Sequence, residues 1–344
     1  MKRNDGLDFL KFICAFLVIC IHISFPGTFG IIIKTVARIS VPVFFMITGY
    51  FYESTKRKNG ELVQIKKLLY YFIGANALYL FWSLLLNLKE LPVFFDTIVN
   101  MQTFIKFVFL NDSPFGGHLW YLSAVLYVLL IIFLFEKRWD RQKLYPLIPI
   151  LLMADLVFGK YSLLIFGREF PVILVRNFLF VGLPYFLIGD MLFRYQTKIR
   201  SRKLFFILIF TMVNLFEYYA LERFAVNATR DHYISTTILA ICVFLLWNNP
   251  KWHTVSNRLF RRCCFIGEKL TVYIYILHPI FIGVLLKVST IIKSNNFIRS
   301  MFSYVYPFVV FVVSILASWI LYSRKSKTEM RVKESNPFIS SHNY

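Results

Sequence analysis

Ten times along its length this sequence runs apolar for roughly the thickness of a bilayer: at about 7–25, 31–52, 66–87, 119–135, 144–159, 172–193, 203–221, 233–248, 270–286 and 303–322. A hydrocarbon core of about 30 Å needs about 20 mostly apolar residues of helix at 1.5 Å each. Inside that core every backbone N–H and C=O must find a partner within the chain, so stretches of this length can only become helices. The expectation is an all-α, polytopic integral membrane bundle of about 10 transmembrane helices, with 144–159 and 233–248 its short members. Composition agrees, since 58% of the residues are hydrophobic, against about 45–50% in soluble domains.

The 39 Lys and Arg against 18 Asp and Glu would suggest nucleic-acid binding in a soluble chain. Here the basic residues gather in alternate loops. With the N-terminus placed in the cytoplasm, the loops on that side hold about three times as many as the outer ones. That positive-inside pattern places both termini in the cytoplasm. The surplus therefore speaks for a lipid bilayer as partner and against nucleic acid. Residues 1–322 read as one transmembrane domain and 323–344 as a polar, disordered cytoplasmic tail. No large soluble domain is expected before, between or after the spans. The N-terminal run is long, charged and without a small-residue cleavage site, so it reads as a retained helix rather than a signal peptide. The connection 88–118 is nearly neutral and semi-apolar, suited to an amphipathic helix on the membrane or a re-entrant piece. Asn227-Ala-Thr is a glycosylation sequon on the outer side, relevant only in a eukaryotic secretory pathway.

Function must come from polar residues inside or beside the spans. There is no phosphate loop, no Ser nucleophile elbow and no dinucleotide turn. The five cysteines have neither metal-ligand spacing nor a disulfide framework. In LDFLKFICAFLVICIHISF, Asp8, Lys11 and His22 interrupt an apolar run. Lys11 and His22 lie close to three turns apart, about 16 Å, on one helix face. An ionisable group deep in a membrane costs roughly 2.5–3.5 kcal/mol and normally faces a protein interior or a water-filled path. His22 is then either an interfacial histidine satisfied by a neighbour or a general base with an unperturbed pKa of about 6.5. Lys11 either snorkels to the inner boundary or works with it. Arg38, about a turn before Pro42 in RISVPVFFMITGYFYES, either snorkels outward or orients an anionic or polar ligand. His118 and Trp120 in GGHLWYLSAVL, Arg176 in VRNFLFVGLPYFLIGD and His278 in LTVYIYILHPIF complete the intramembrane candidates, while Asp190 reads as a boundary residue. Lys66 and Lys67, at the mouth of the third span, are topology signals or a clamp for the phosphates of a nucleotide-like donor.

These segments resemble the membrane-bound acyltransferase-3 family. LDFLK with Lys11, ten residues, then His22 is similar to the family's opening helix. VPVFFMITGYF, HLWYLSAVLY, LPYFLIGDM and YIYILHP resemble its later motifs, in family order across about residues 7 to 280. Two departures stand out. The family more often has Arg at the position of Lys11, and its Arg-x-x-Arg element survives only in the basic character of Lys66 and Lys67. The resemblance implies transfer of an acyl group, usually acetyl from cytoplasmic acetyl-CoA, to a hydroxyl of an extracytoplasmic cell-surface glycan or lipid-linked sugar. It implies His22 and Lys11 as the catalytic pair. Asp8, Arg38, His118, Trp120, Arg176 and His278 would bind substrate, and Lys66 and Lys67 acyl-CoA. Acetyl-CoA would be a consumed donor, with no bound cofactor and no metal, at a bacterial cytoplasmic membrane. The rival class is a transporter or flippase for a glycolipid or small solute, which polar intramembrane residues and a neutral outer loop also fit. A further alternative is an uptake module of a resistance system, since relatives are found fused to amino-acid racemases.

Overall fold

The apolar stretches become helices, and among the described residues no strand forms. The structure is a computed structural model that describes residues 4–195, 203–291 and 296–335. Among the described residues, seven helical stretches are long and apolar enough to cross a membrane: Gly27–Lys56 (interrupted between Ala37 and Ser40), Glu61–Leu86, Gly117–Phe135, Phe178–Tyr195, Leu204–Arg223, Arg258–Ser289 and Phe302–Thr328. Their surroundings must be apolar too. Leu204, Leu208, Met212 and Phe216 stand 63–72% exposed along one of them, a surface that water would not tolerate and lipid does. This is a membrane protein.

Three of the ten expected stretches come out differently. The first is the helix Asp5–His22, 18 residues long, which carries Asp5, Asp8 and Lys11 and so is too polar by composition. Residues 144–159 give a helix of only 9 residues, Leu147–Asp155. It runs into a wide turn, Leu156–Lys160, where Gly159 leaves helical geometry. Residues 233–248 give Ile234–Trp247, 14 residues. The connection 88–118 forms two short helices rather than one, Leu91–Ile98 and Met101–Phe109, the second capped by Asn100.

The chain divides into two compact units, one of Arg38–Leu246 and one joining the residues up to Ala37 with those from Trp247 onward. The first unit is organised around the helices Ser40–Lys56 and Leu183–Tyr195. Their backbones touch. A Cβ on Gly49 would sit 1.9 Å from the Phe186 carbonyl oxygen, and one on Gly189 would sit 1.9 Å from that of Met46. Only glycine permits such an approach. Phe45, Met46, Tyr185 and Phe186 close the contact at 0% exposure. Pro42 stands in the first turn of Ser40–Lys56, where its missing N–H would have had no helical partner anyway.

In the second unit Asn4 caps the first helix by accepting from the Leu7 N–H at 3.1 Å, and its amide donates to Asn248 at 2.8 Å. The turn Ile266–Leu270 rides so close that a Cβ on Gly267 would lie 1.8 Å from the Asp8 carbonyl oxygen. Ala15 and Ile19 of the first helix and Ile23 just after it form one core with Leu270, Ile274, Ile282, Val310 and Phe311. The last helix, Asn296–Ser335, continues into the stretch expected to be a disordered tail; residues 336–344 lie outside the described ones.

Candidate functional site

Each unit gathers its own polar group. In the second unit, Asp8, Lys11 and His22 all ride on the first helix. Two acidic residues in its first turn complement the helix dipole, and His22 lies in its last turn. Lys11 Nζ lies 2.7 Å from the Asp8 carboxylate, which is 5% exposed. His22, at the other end, faces a second imidazole: its ring centroid is 5.2 Å from that of His278. His278 is fully buried in the helix Thr271–Ile291, its Nδ1 3.1 Å from the Ile274 carbonyl oxygen. That carbonyl acceptor assigns the proton to Nδ1 in a neutral ring and leaves Nε2 as the basic nitrogen. A proline follows at 279, so the ring sits where the helix ladder is already interrupted. The two rings are tilted 49° to one another.

In the first unit, Arg38, Trp120 and Arg176 come together on a residue that sequence reading passed over. Arg38 forms an ion pair with Asp231, and Arg176 approaches the other oxygen of that carboxylate at 3.9 Å. The Arg176 guanidinium lies over the Trp120 ring, 5.4 Å from its centroid. Both arginines stand at breaks between helices. Arg38 lies between Gly27–Ala37 and Ser40–Lys56, and Arg176 ends the short helix Val172–Val175. Burial pushes the Asp231 carboxyl up, but Arg38 and then Arg176 outweigh it and hold it well below the usual carboxylate range. Two buried asparagines fix the arrangement. Asn111 donates to the Trp120 carbonyl at 3.3 Å and accepts from the Phe178 N–H at 3.1 Å. Asn177 accepts from Leu179 and Phe180 N–H at 2.9 and 3.0 Å. Asn111 has φ +49°, a left-handed conformation that asparagine tolerates better than most residues.

Next to Asp231, His232 meets a second carboxylate: its Nδ1 is 2.8 Å from Asp155 Oδ2, with both side chains buried. Lys160, 5% exposed, donates to the Ala228 carbonyl at 2.7 Å and lies 4.6 Å over the Tyr233 ring. Burial, and then Arg38, bring its amine down to about 8. The remaining predicted residues lie apart from these contacts. His118 sits in the turn Gly117–Leu119 with its ring edge-on to Tyr79 at 4.5 Å. Gly116 makes room for it, since a Cβ there would meet His118 Cε1 at 2.9 Å. Lys66 and Lys67 are exposed in the second turn of Glu61–Leu86.

Asp190, expected as a boundary residue, is instead 0% exposed at the centre of a charge network. Arg141, 1% exposed, donates to Asp190 at 2.8 Å and also to Glu53 and Glu136. Tyr145 donates to Asp190 at 2.7 Å, and Arg194 Nε donates to it at 3.1 Å. Beside it opens a cleft of about 320 Å³ whose walls include Lys56, Lys137, Arg138, Trp139 and Arg194. In sequence Arg141 was one more basic residue in an inner loop; nothing in EKRWDRQK marks it as buried. Asp231 was equally hidden, in a loop whose only legible signal was a sequon. Among the described residues no three His, Cys, Asp or Glu side chains gather as a metal site.

A family described as acyltransferase domain matches residues 4–323. Among curated proteins, an amino-acid racemase of Enterococcus faecalis is 26% identical over 362 positions, covering 98% of this chain and 48% of that protein. A serine/alanine racemase of Enterococcus gallinarum is 26% identical over 371 positions, covering 99% of this chain and 50% of that protein. The chain thus spans about half the length of the curated relatives it matches. No solved structure gives a significant match.

Proposed function

Because the chain belongs to the membrane acyltransferase-3 family, we propose that it moves an acetyl group from cytoplasmic acetyl-CoA to a hydroxyl of an extracytoplasmic cell-surface carbohydrate. The single observation that carries this reading is the pair His22 and His278, with ring centroids 5.2 Å apart in a family match that spans residues 4–323. His22 either takes the acetyl group on a ring nitrogen or removes the acceptor hydroxyl's proton. In both routes the thioester C–S bond breaks and an ester C–O bond forms. The hydroxyl proton leaves with CoA as its thiol. Asp8 holds Lys11 at the far end of the same helix, as the donor-side partner. Lys66 and Lys67 serve the donor's phosphates, Arg38, His118, Trp120 and Arg176 are acceptor contacts of the first unit, and His278 works beside His22 in the second. The chain works as a bundle of about ten spans with both termini in the cytoplasm of a bacterium.

The test supplies radiolabelled acetyl-CoA to inverted membrane vesicles loaded with the organism's surface polysaccharide. Label should appear as an alkali-labile ester on the glycan, and His22→Ala should lower it about 10²- to 10⁴-fold. Transfer by His22→Ala at the wild-type rate sinks the catalytic assignment. A second reading is transport of a glycolipid or small solute. It is favoured by the polar residues set within apolar helices, Asp8, Lys11 and His22 on one and His278 on another. A transporter would work without acetyl-CoA and leave no ester on its substrate.

A further inference from the structure

The arginine cluster of the first unit carries more charge than it needs for itself. Arg38 and Arg176 share the single carboxylate of Asp231. Lys160 lies near enough to Arg38 for the two to repel, and Arg230, 3.1 Å from Glu169, already has its own partner. Asp112 also faces Arg176, but burial pushes its carboxyl up, which favours the neutral form.

Arg176 is the unsaturated member. Its approach to Asp231, at 3.9 Å, is too long for a hydrogen bond. Among the described residues its guanidinium makes no side-chain hydrogen bond, only this ion pair and the Trp120 ring. It is 31% exposed. A guanidinium presents five N–H donors in a planar fork that matches a carboxylate or phosphate with two parallel bonds. Stacking on an aromatic face fixes that plane without using the donors. The bonds that Asn111 and Asn177 make on both sides of this turn hold its backbone in place. A stacked, pre-set and unspent guanidinium beside a carboxylate already claimed by another arginine is built to receive a second oxyanion.

We propose that Arg176, stacked on Trp120 with Arg38 beside it on Asp231, grips an oxyanion carried by the acceptor sugar, a carboxylate or a phosphate. This rests on the reading that the acceptor is a carbohydrate. It narrows that reading to acidic or phosphorylated sugars. Asp231 serves as the internal counter-ion that keeps the two arginines apart and charged until the acceptor arrives, and it competes with the incoming anion for the same donors.

The test measures binding without acetyl-CoA, so it does not depend on acyl transfer. The full chain in dodecyl maltoside micelles is titrated at low salt with glucuronate, glucose 1-phosphate, glucose and phosphatidylglycerol, and its thermal midpoint is followed. Glucuronate or glucose 1-phosphate should raise the midpoint saturably and glucose should not; the stronger of the two anions identifies the group. Arg176→Gln should weaken that response at least about tenfold. Asp231→Asn should strengthen it, an opposite sign that a purely structural ion pair would not produce. The proposal falls if neither anion shifts the midpoint, if glucose acts as well as glucuronate, or if Arg176→Gln responds like wild type. It also falls if phosphatidylglycerol alone shifts the midpoint, which would make this a lipid-headgroup site. Anion binding without any acetyl transfer to glycans would leave this site standing and overturn the proposed reaction instead.

Discussion

Replacing Gly189 by alanine adds one methyl group at the tightest backbone contact of the first unit. The new Cβ would lie 1.9 Å from the Met46 carbonyl oxygen, 2.6 Å from its carbon and 2.7 Å from its Cα. Carbon and oxygen ordinarily meet at about 3.3–3.6 Å, so the helix Leu183–Tyr195 must retreat by about 1.5 Å. Overpacking that side chains can absorb costs about 1–3 kcal/mol, but here the obstacle is backbone and the helix moves as a whole. The next residue, Asp190, is held at 2.8 Å by Arg141 and at 2.7 Å by Tyr145. A retreat of that size breaks both bonds, and parting a buried ion pair costs about 3–5 kcal/mol. The loss is therefore at least about 3 kcal/mol. At about 2–4 °C per kcal/mol for a domain of this size, the unfolding midpoint falls by at least about 6 °C. Tryptophan fluorescence in maltoside micelles reads it, since Trp82, Trp120 and Trp139 all lie in this unit. Gly74→Ala is the control, because a Cβ there meets nothing within 4 Å. If Gly189→Ala melts together with Gly74→Ala, the backbone contact does not exist as described.

Other substitutions test other contacts. Arg141→Leu strands the fully buried Asp190 and should cost about 3–5 kcal/mol, most of it recovered in the double variant with Asp190→Leu; thermal unfolding of both variants checks this. His22→Ala should lower acetyl transfer about 10²- to 10⁴-fold. His278→Asn, which can still donate to the Ile274 carbonyl, should keep more activity than His278→Ala; initial rates of label transfer decide. Lys160 is lowered from 10.5 to about 8 by burial and Arg38, so below pH 8 the folded protein bears the full cost of its charge. Between pH 8 and 10.5 the unfolded chain binds more protons, and wild type should gain stability relative to Lys160→Met as pH rises. Midpoints that run parallel across that window would refute the assignment.

Much of this protein is legible in its residue order. Apolar runs as long as a bilayer is thick dictate helices, because hydrocarbon leaves the backbone no other way to satisfy itself. The glycines of ITGYF and LIGDM look in sequence like family signatures. In space they are the two halves of one contact, Gly49 on Phe186 and Gly189 on Met46. His22 and His278 are singled out by polarity within apolar surroundings, and they prove to be neighbours. The short stretches 144–159 and 233–248 carry their own warning in their length, and they form the broken and the 14-residue helices.

What sequence could not supply was pairing. Arg38, Arg176 and Asp231 are separated by more than a hundred residues from first to last, and each is a common residue near a helix end. A boundary cation and a ligand-gripping cation have the same local sequence, because the difference lies in whether a carboxylate or an aromatic face waits beside them. Arg141 and Asp190 likewise share no pattern, yet folding buries both and makes each necessary to the other. Hydrophobic length is a property of consecutive residues, so the chain determined its helices and its solvent by itself. Charge compensation is a property of distance across the fold, so only tertiary structure decided which polar residues face one another and which guanidinium lies over an aromatic ring.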